Sequence, residues 1–295
     1  MSAEAIARVP RRDNYGDPYS AVEHISKIAS GSSYDWREIG LVMLTTAFDA
    51  SGAEDDLVCT VVAGFISTAD EWIAFDRAWR ARIGQDDLGD FRMSAFHAHR
   101  GPFTDESKWT RSTRDALIGD LIEIIIKHAF RKFGGAVPHP TLSGMRPDVR
   151  EVNRITAYSL AGRMCAAEVS EWAKAEGFHR PIEYVFENGD KGKGKLIERF
   201  PIDDFPAPIF KPKYDAFDRN GVLIPGFTPL QAADIYAWEL RNRITRLHAN
   251  RRSFAAIDTI PGEARRTTEE TFKLLCAGLV PPDDRLIVIP GAADL

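Results

Sequence analysis

Cysteine is scarce in this chain, and the three present cannot brace it. Cys59, Cys165 and Cys276 are far apart, odd in number and form no Cys-x-x-Cys pair. That excludes a disulfide scaffold and a zinc ribbon, and it predicts buried thiols in a reducing compartment. No apolar run is long enough to cross a bilayer. The N-terminus has no short apolar stretch followed by a cleavage pattern, so a cytoplasmic protein with no membrane partner is expected. Excess positive charge is also missing. Lys and Arg number 38 against 43 Asp and Glu, for a net charge of −5, which argues against coating nucleic acid by bulk electrostatics. Internal repeats and low-complexity stretches are absent as well.

What remains is the raw material of a packed core. Hydrophobic residues make up 44% of 295, too many for a disordered chain. Residues 1–38 are polar and aperiodic and read as an arm. From 39 to 295 the pattern reads as a single α/β domain, a mixed β-sheet flanked by helices with helical and C-terminal elaborations. Strands are expected from Leu41 to Phe48, Val58 to Ile66, Gly89 to Phe96, Ile182 to Glu187 and about 208–213, with a terminal one from Leu286 to Ile289. Thr68 and Glu71 make a capping-box pair ahead of a helix bearing Trp72, Phe75 and Trp79. Further helices are expected near 111–128, 150–176, 190–199 and 267–277. The helix from Pro229 to about His248 is the clearest, with Leu230, Ala233, Ala237, Leu240 and Ile244 at three- and four-residue steps.

Three acids stand at telling places in this pattern. Asp49 and Glu187 fall at the C-terminal ends of expected strands, and Asp234 lies on the shoulder of the apolar stripe of the Pro229 helix. Hard divalent cations prefer oxygen ligands, so distant acids that converge are candidate ligands for Mg²⁺ or Mn²⁺. Asp190 and Glu239 are further candidates by the same argument, Asp190 as a metal ligand. Taken alone, Asp49 and Glu187 could be ordinary turn residues, and Asp234 could simply complement a helix dipole. Lys191, Lys193, Lys195 and Arg241 lie close in sequence to these acids and are candidate contacts for a DNA or RNA backbone. The run Gly189-Asp190-Lys191-Gly192-Lys193-Gly194-Lys195-Leu196 nearly fits a phosphate-cradling loop, but Leu196 stands where a hydroxyl would meet Mg²⁺. His97 and His99 would share a strand face, without evident partners for a zinc site.

On these residues the chain resembles the bacterial and phage family catalogued as domain of unknown function 3800. The run Phe48-Asp49-Ala50-Ser51-Gly52 is similar to that family's strand ending in Asp-Glu-Ser-Gly. Val61-Val62-Ala63-Gly64-Phe65 is similar to its glycine-containing second strand, Phe186-Glu187 to its acid-terminated middle strand, and Leu230-Gln231-Ala232-Ala233-Asp234 to its Leu-Gln-x-Ala-Asp helix. The resemblance covers roughly residues 41–245. It implies a ribonuclease H-like fold, whose acids hold two metal ions, and hence a metal-dependent nuclease with Asp49, Glu187 and Asp234 as catalytic carboxylates. Ala50 stands where the family has Glu. That departure, with the acidic net charge, keeps a second expectation open: a non-catalytic nucleic-acid-binding or regulatory protein that retains the fold.

Overall fold

Alternation within the strands decides how the sheet is covered, because successive side chains point to opposite faces. A computed structural model describes residues 44–52, 58–178, 181–245, 252–267 and 287–288. In it β1 (Leu44–Ser51), β2 (Cys59–Thr68) and β3 (Arg131–Pro138) form an antiparallel meander. β4 (Glu183–Glu187) adds to the free side of β1 in parallel, and β5 (Ile209–Lys211) adds to β4 in parallel. A separate two-stranded ribbon pairs β6 (Ala216–Phe217) with β7 (Leu223–Ile224). β8 (Ala264–Arg266) and β9 (Ile287–Val288) complete a mixed seven-stranded sheet of order β5-β4-β1-β2-β3-β8-β9.

Helices cover both faces. They are α1 (Ala69–Gly84), α2 (Met93–His97), α3 (Arg111–His128), α4 (His139–Ser143), α5 (Pro147–Val152), α6 (Ala157–Ala175), α7 (Lys193–Arg199) and α8 (Pro229–Thr245). Ala47, Val61, Ala63, Phe65 and Val185 meet Trp72, Phe75, Trp79, Leu117 and Leu121 from α1 and α3, with Leu230, Tyr236 and Leu240 from α8. On the other face Phe48, Val62, Ile66, Phe133, Tyr184 and Phe186 meet Leu160, Cys165 and Val169 of α6 and Leu196 of α7. The chain is therefore α/β, with a mixed sheet between two helical layers. No described helix is long and apolar enough to cross a membrane.

β2 is buried along nearly its whole length, as befits a strand covered on both faces. Its glycine has a steric cause. A Cβ on Gly64 would lie 1.8 Å from the Ala47 carbonyl oxygen, so β1 and β2 come this close only because nothing is there.

Most expected elements are present with shifted ends, and two are corrected. The stretch Gly89 to Phe96 is not a strand but a loop leading into α2. Its backbone donors are taken by side chains of α8: the Phe91 N–H donates to Gln231 Oε1 at 2.9 Å and the Met93 N–H to Asp234 Oδ2 at 2.9 Å. Taken by side chains, these two donors are not available to a neighbouring strand. The long helix expected from 150 begins at Ala157 instead. Arg154 turns into the left-handed region (φ 54°) after α5, and Thr156 with Ser159 forms a reciprocal capping box that starts α6. At the head of α1, Thr68 accepts from the Glu71 N–H, but the Glu71 carboxylate binds His128 at 2.7 Å. The arm, the helix near 267–277 and Cys276 lie outside the described residues, whereas Cys59 and Cys165 are buried and outside any disulfide.

Candidate carboxylate site

The register places the first two acids. Phe48 and Phe186 are partners across the parallel β1–β4 pair, and both point to the α6 side. One residue on, Asp49 and Glu187 therefore turn together toward the α8 side at the C-terminal ends of their strands. Asp49 is 2% exposed. Beyond β4 the chain does not leave the site. The Asn188 N–H donates to the Lys211 carbonyl at 3.0 Å, the Gly189 N–H donates to Glu187 Oε2, and Lys193 Nζ donates to Asn188 Oδ1 at 2.7 Å. Gly192 then turns through φ +93° into α7. This tight return carries Asp190 inward, and one carboxylate oxygen from each of Asp49, Glu187 and Asp190 lies within 4.8 Å of the others.

Asp234 approaches from α8. Its Oδ2 holds the Met93 N–H, and its Oδ1 is 3.6 Å from Lys213 Nζ. The same ammonium donates to Asp49 Oδ2. Lys213 thus stands between two of the acids, on the loop that follows β5. That loop is pinned by α8, since Gln231 Nε2 donates to the Lys213 carbonyl at 3.0 Å. The rim beside it carries Tyr214, with the Arg92 guanidinium stacked 3.8 Å from the ring centre.

Two polar atoms here are buried without a hydrogen-bond partner: Asp190 Oδ2 and the Tyr158 hydroxyl. Tyr158 is 3% exposed and opens α6. Burial raises its pKa, and the charges of Asp190, Asp49 and Glu187 raise it further, which puts the ring within electrostatic reach of all three. Burial is also the main cause that drives Asp49 well above the usual carboxylate range, with Asp234 and Asp190 adding and Lys213 opposing. Asp190 is pushed up to about 7 by burial and by the Glu187 charge. Burial alone would lower the Lys213 ammonium, but Asp49 and Asp234 outweigh it and raise its pKa. So crowded a set of carboxylates, with one orphaned oxygen among them and an orphaned hydroxyl beside them, is short of positive charge.

No protein family, curated protein or solved structure matches this chain.

The structure brings Asp49, Glu187 and Asp190 together and sets Asp234 one ammonium away. The donors are all oxygens, a set suited to hard divalent cations, so this group could hold a metal ion. Glu239 belongs elsewhere. It binds Arg243 at 2.9 Å, and Arg243 continues to Asp258 at 3.0 Å. Among the expected backbone contacts, Lys191 is exposed beside Asp190. Lys193 donates to Asn188, and Lys195 is paired to Glu151 at 2.7 Å, contacts that brace the turn into α7. Arg241 packs over Gly52 just past β1, where a Cβ would lie 2.7 Å from its Nε. His97 sits on α2 with its ring 4.8 Å from that of Trp238, and His99 follows in the left-handed region (φ 54°), so the two share no strand face. Lys213 and Tyr158 were missed. The only trace of Lys213 in the sequence is its place just after a strand expected at 208–213, and Tyr158 looks like any core aromatic.

Proposed function

We propose that this chain is a metal-dependent phosphodiesterase of ribonuclease H-like fold, acting on nucleic acid. The observation that carries the proposal is the convergence of Asp49, Glu187 and Asp190, with an unpartnered oxygen buried among them. The sheet supports it too: an antiparallel meander is extended by two parallel strands on the β1 side, acids stand at the C-terminal ends of β1 and β4, and a third acid comes from a helix lying on that face. These are the placements that the resemblance to the domain of unknown function 3800 family implies.

Asp49, Glu187 and Asp190 would hold Mg²⁺ or Mn²⁺. A divalent cation so bound stabilises charge on phosphoryl oxygens and makes water a better nucleophile at neutral pH. The residues of the chain position the reactants around it. The Lys213 ammonium supplies a donor beside Asp49. Asp234 fixes both that ammonium and the Met93 backbone, which joins the α2 loop to the site. Arg92, exposed above Tyr214, and Lys191 beside Asp190 provide positive charge at the rim, where a phosphate backbone would run.

A second reading is favoured by one specific observation: the Lys213 contact with Asp49 and Asp234 partly neutralises two of the acids. If the ammonium replaces metal altogether, the chain is a nucleic-acid-binding protein without turnover. Incubating the full chain with mixed DNA and RNA substrates in Mn²⁺ or Mg²⁺ separates the two. Cleavage that is lost in Asp49→Asn and Asp190→Asn, both still folded, is the expected result. Absence of metal-dependent cleavage by folded wild type on every substrate would favour the binding protein.

A further inference from the structure

The geometry points to Lys213 as a built-in cation that stands in for a second divalent ion, so that the site takes one metal ion and not two. This deepens the reading above and rests on it. In sites that use two ions, a shared carboxylate commonly lies between them, with the ions about 3.5–4 Å apart. Asp49 is the shared carboxylate here. On one side it faces Glu187 and Asp190, and on the other its Oδ2 is bonded by Lys213 Nζ, which also faces Asp234 Oδ1 at 3.6 Å. The two cation positions are thus unequal in what serves them.

Independent observations mark which side awaits a ligand. The Tyr158 hydroxyl, on a residue 3% exposed, has no hydrogen-bond partner, and neither has Asp190 Oδ2. Both belong to the Glu187–Asp190 side. On the Asp234 side both carboxylate oxygens are engaged, one by the Met93 N–H and one by the ammonium.

Lys213 is built into this position. Its side chain is 12% exposed. Its carbonyl is held by Gln231 Nε2 at 3.0 Å, the preceding Pro212 carbonyl accepts from the Phe227 N–H at 2.8 Å, and two residues on Asp215 Oδ1 accepts from the Gly226 N–H at 2.7 Å. A loop anchored at these points has already met the backbone share of the entropy cost of placing the ammonium. An ammonium has three donors. Asp49 accepts from one of them and Asp234 attracts the charge from 3.6 Å, which leaves donor capacity for a substrate oxygen.

The test is Mn²⁺ stoichiometry on the full chain, measured by calorimetry and by the electron spin resonance signal of free Mn²⁺, with Asp49→Asn as the baseline for ions bound elsewhere. Wild type is expected to bind one Mn²⁺ above that baseline, Lys213→Arg one, and Lys213→Gln two. Lys213→Gln combined with Asp234→Asn should return to one. Two ions in wild type would overturn the inference and leave the metal reading standing. One ion in a folded Lys213→Gln would likewise overturn it. No ion in wild type would remove the metal reading itself, and this inference with it. The wild-type measurement decides even if Lys213→Gln fails to fold.

Discussion

Replacing Gln231 by methionine should cost far more than the loss of an ordinary core amide. Gln231 is 2% exposed, and its amide makes three bonds. Oε1 accepts from Trp79 Nε1 at 2.9 Å and from the Phe91 N–H at 2.9 Å, while Nε2 donates to the Lys213 carbonyl at 3.0 Å. Methionine matches the length and supplies none of these. Each buried polar group left unsatisfied costs about 1–3 kcal/mol. With three groups, and with water able to reach the Lys213 end, the expected loss is about 4 kcal/mol. At about 2–4 °C per kcal/mol, the midpoint of thermal unfolding should fall by about 8–16 °C. Urea unfolding followed by tryptophan fluorescence measures the loss directly. A cycle with Trp79→Phe adds a sharper check. Once the acceptor is gone, removing the indole donor should cost less than it does in wild type, by about 1 kcal/mol. A Gln231→Met loss under about 1 kcal/mol, or an additive cycle, would refute the claim that this amide clamps both loops.

Three further outcomes are expected. Gly64→Ala should cost about 3–5 kcal/mol in urea unfolding, or abolish soluble folding, because its Cβ cannot sit 1.8 Å from the Ala47 oxygen unless the central strands separate; wild-type stability in this variant would show the approach to be looser. Glu183 is raised to about 7, chiefly by burial, with the Thr45 hydroxyl bond and Lys211 opposing. Between its ordinary value and about 7 the folded chain therefore holds a proton that the unfolded chain has released, and stability should fall as pH rises through that window. Glu183→Gln should flatten the fall by up to about 3 kcal/mol, and parallel pH–stability curves for the two proteins would count against it. Asp190→Asn should leave the metal-free chain at least as stable as wild type while abolishing stabilisation by Mn²⁺, which at 100 times the dissociation constant is worth about 2.7 kcal/mol to a protein that binds one ion; equal Mn²⁺-induced shifts in both proteins would exclude Asp190 as a ligand.

Where a residue's role follows from its own periodicity, the sequence is a good guide. The α8 stripe, α3 over 111–128 and the alternation of Ile182, Tyr184 and Phe186 each encode which face is buried, and the structure keeps them. The same alternation sends Asp49 and Glu187 to one side. Roles that depend on partners distant in the chain are not visible. Gly89 to Phe96 has the apolar content of a strand, and nothing local reveals that Gln231 and Asp234 take its donors. Lys213 becomes significant only when β5 lies beside β4 and its loop is drawn under α8. In the motif Leu-Gln-Ala-Ala-Asp the acid carries the sequence signal, yet the glutamine does at least as much to assemble the site.

That assembly has a consequence for the order of events during synthesis. β1 and β4 present Asp49 and Glu187 once residue 187 has been made, but both loops flanking the acids are fastened by α8, which ends at Thr245. At about 5–20 residues per second, the ribosome needs on the order of 3–12 s to cover the interval. A nascent chain therefore carries Asp49, Glu187 and, three residues later, Asp190 for seconds without the lysine, the α2 loop or Asp234 in place. The contacts that hold the lysine loop and the α2 loop against these acids form only after the helix that supplies them has left the ribosome.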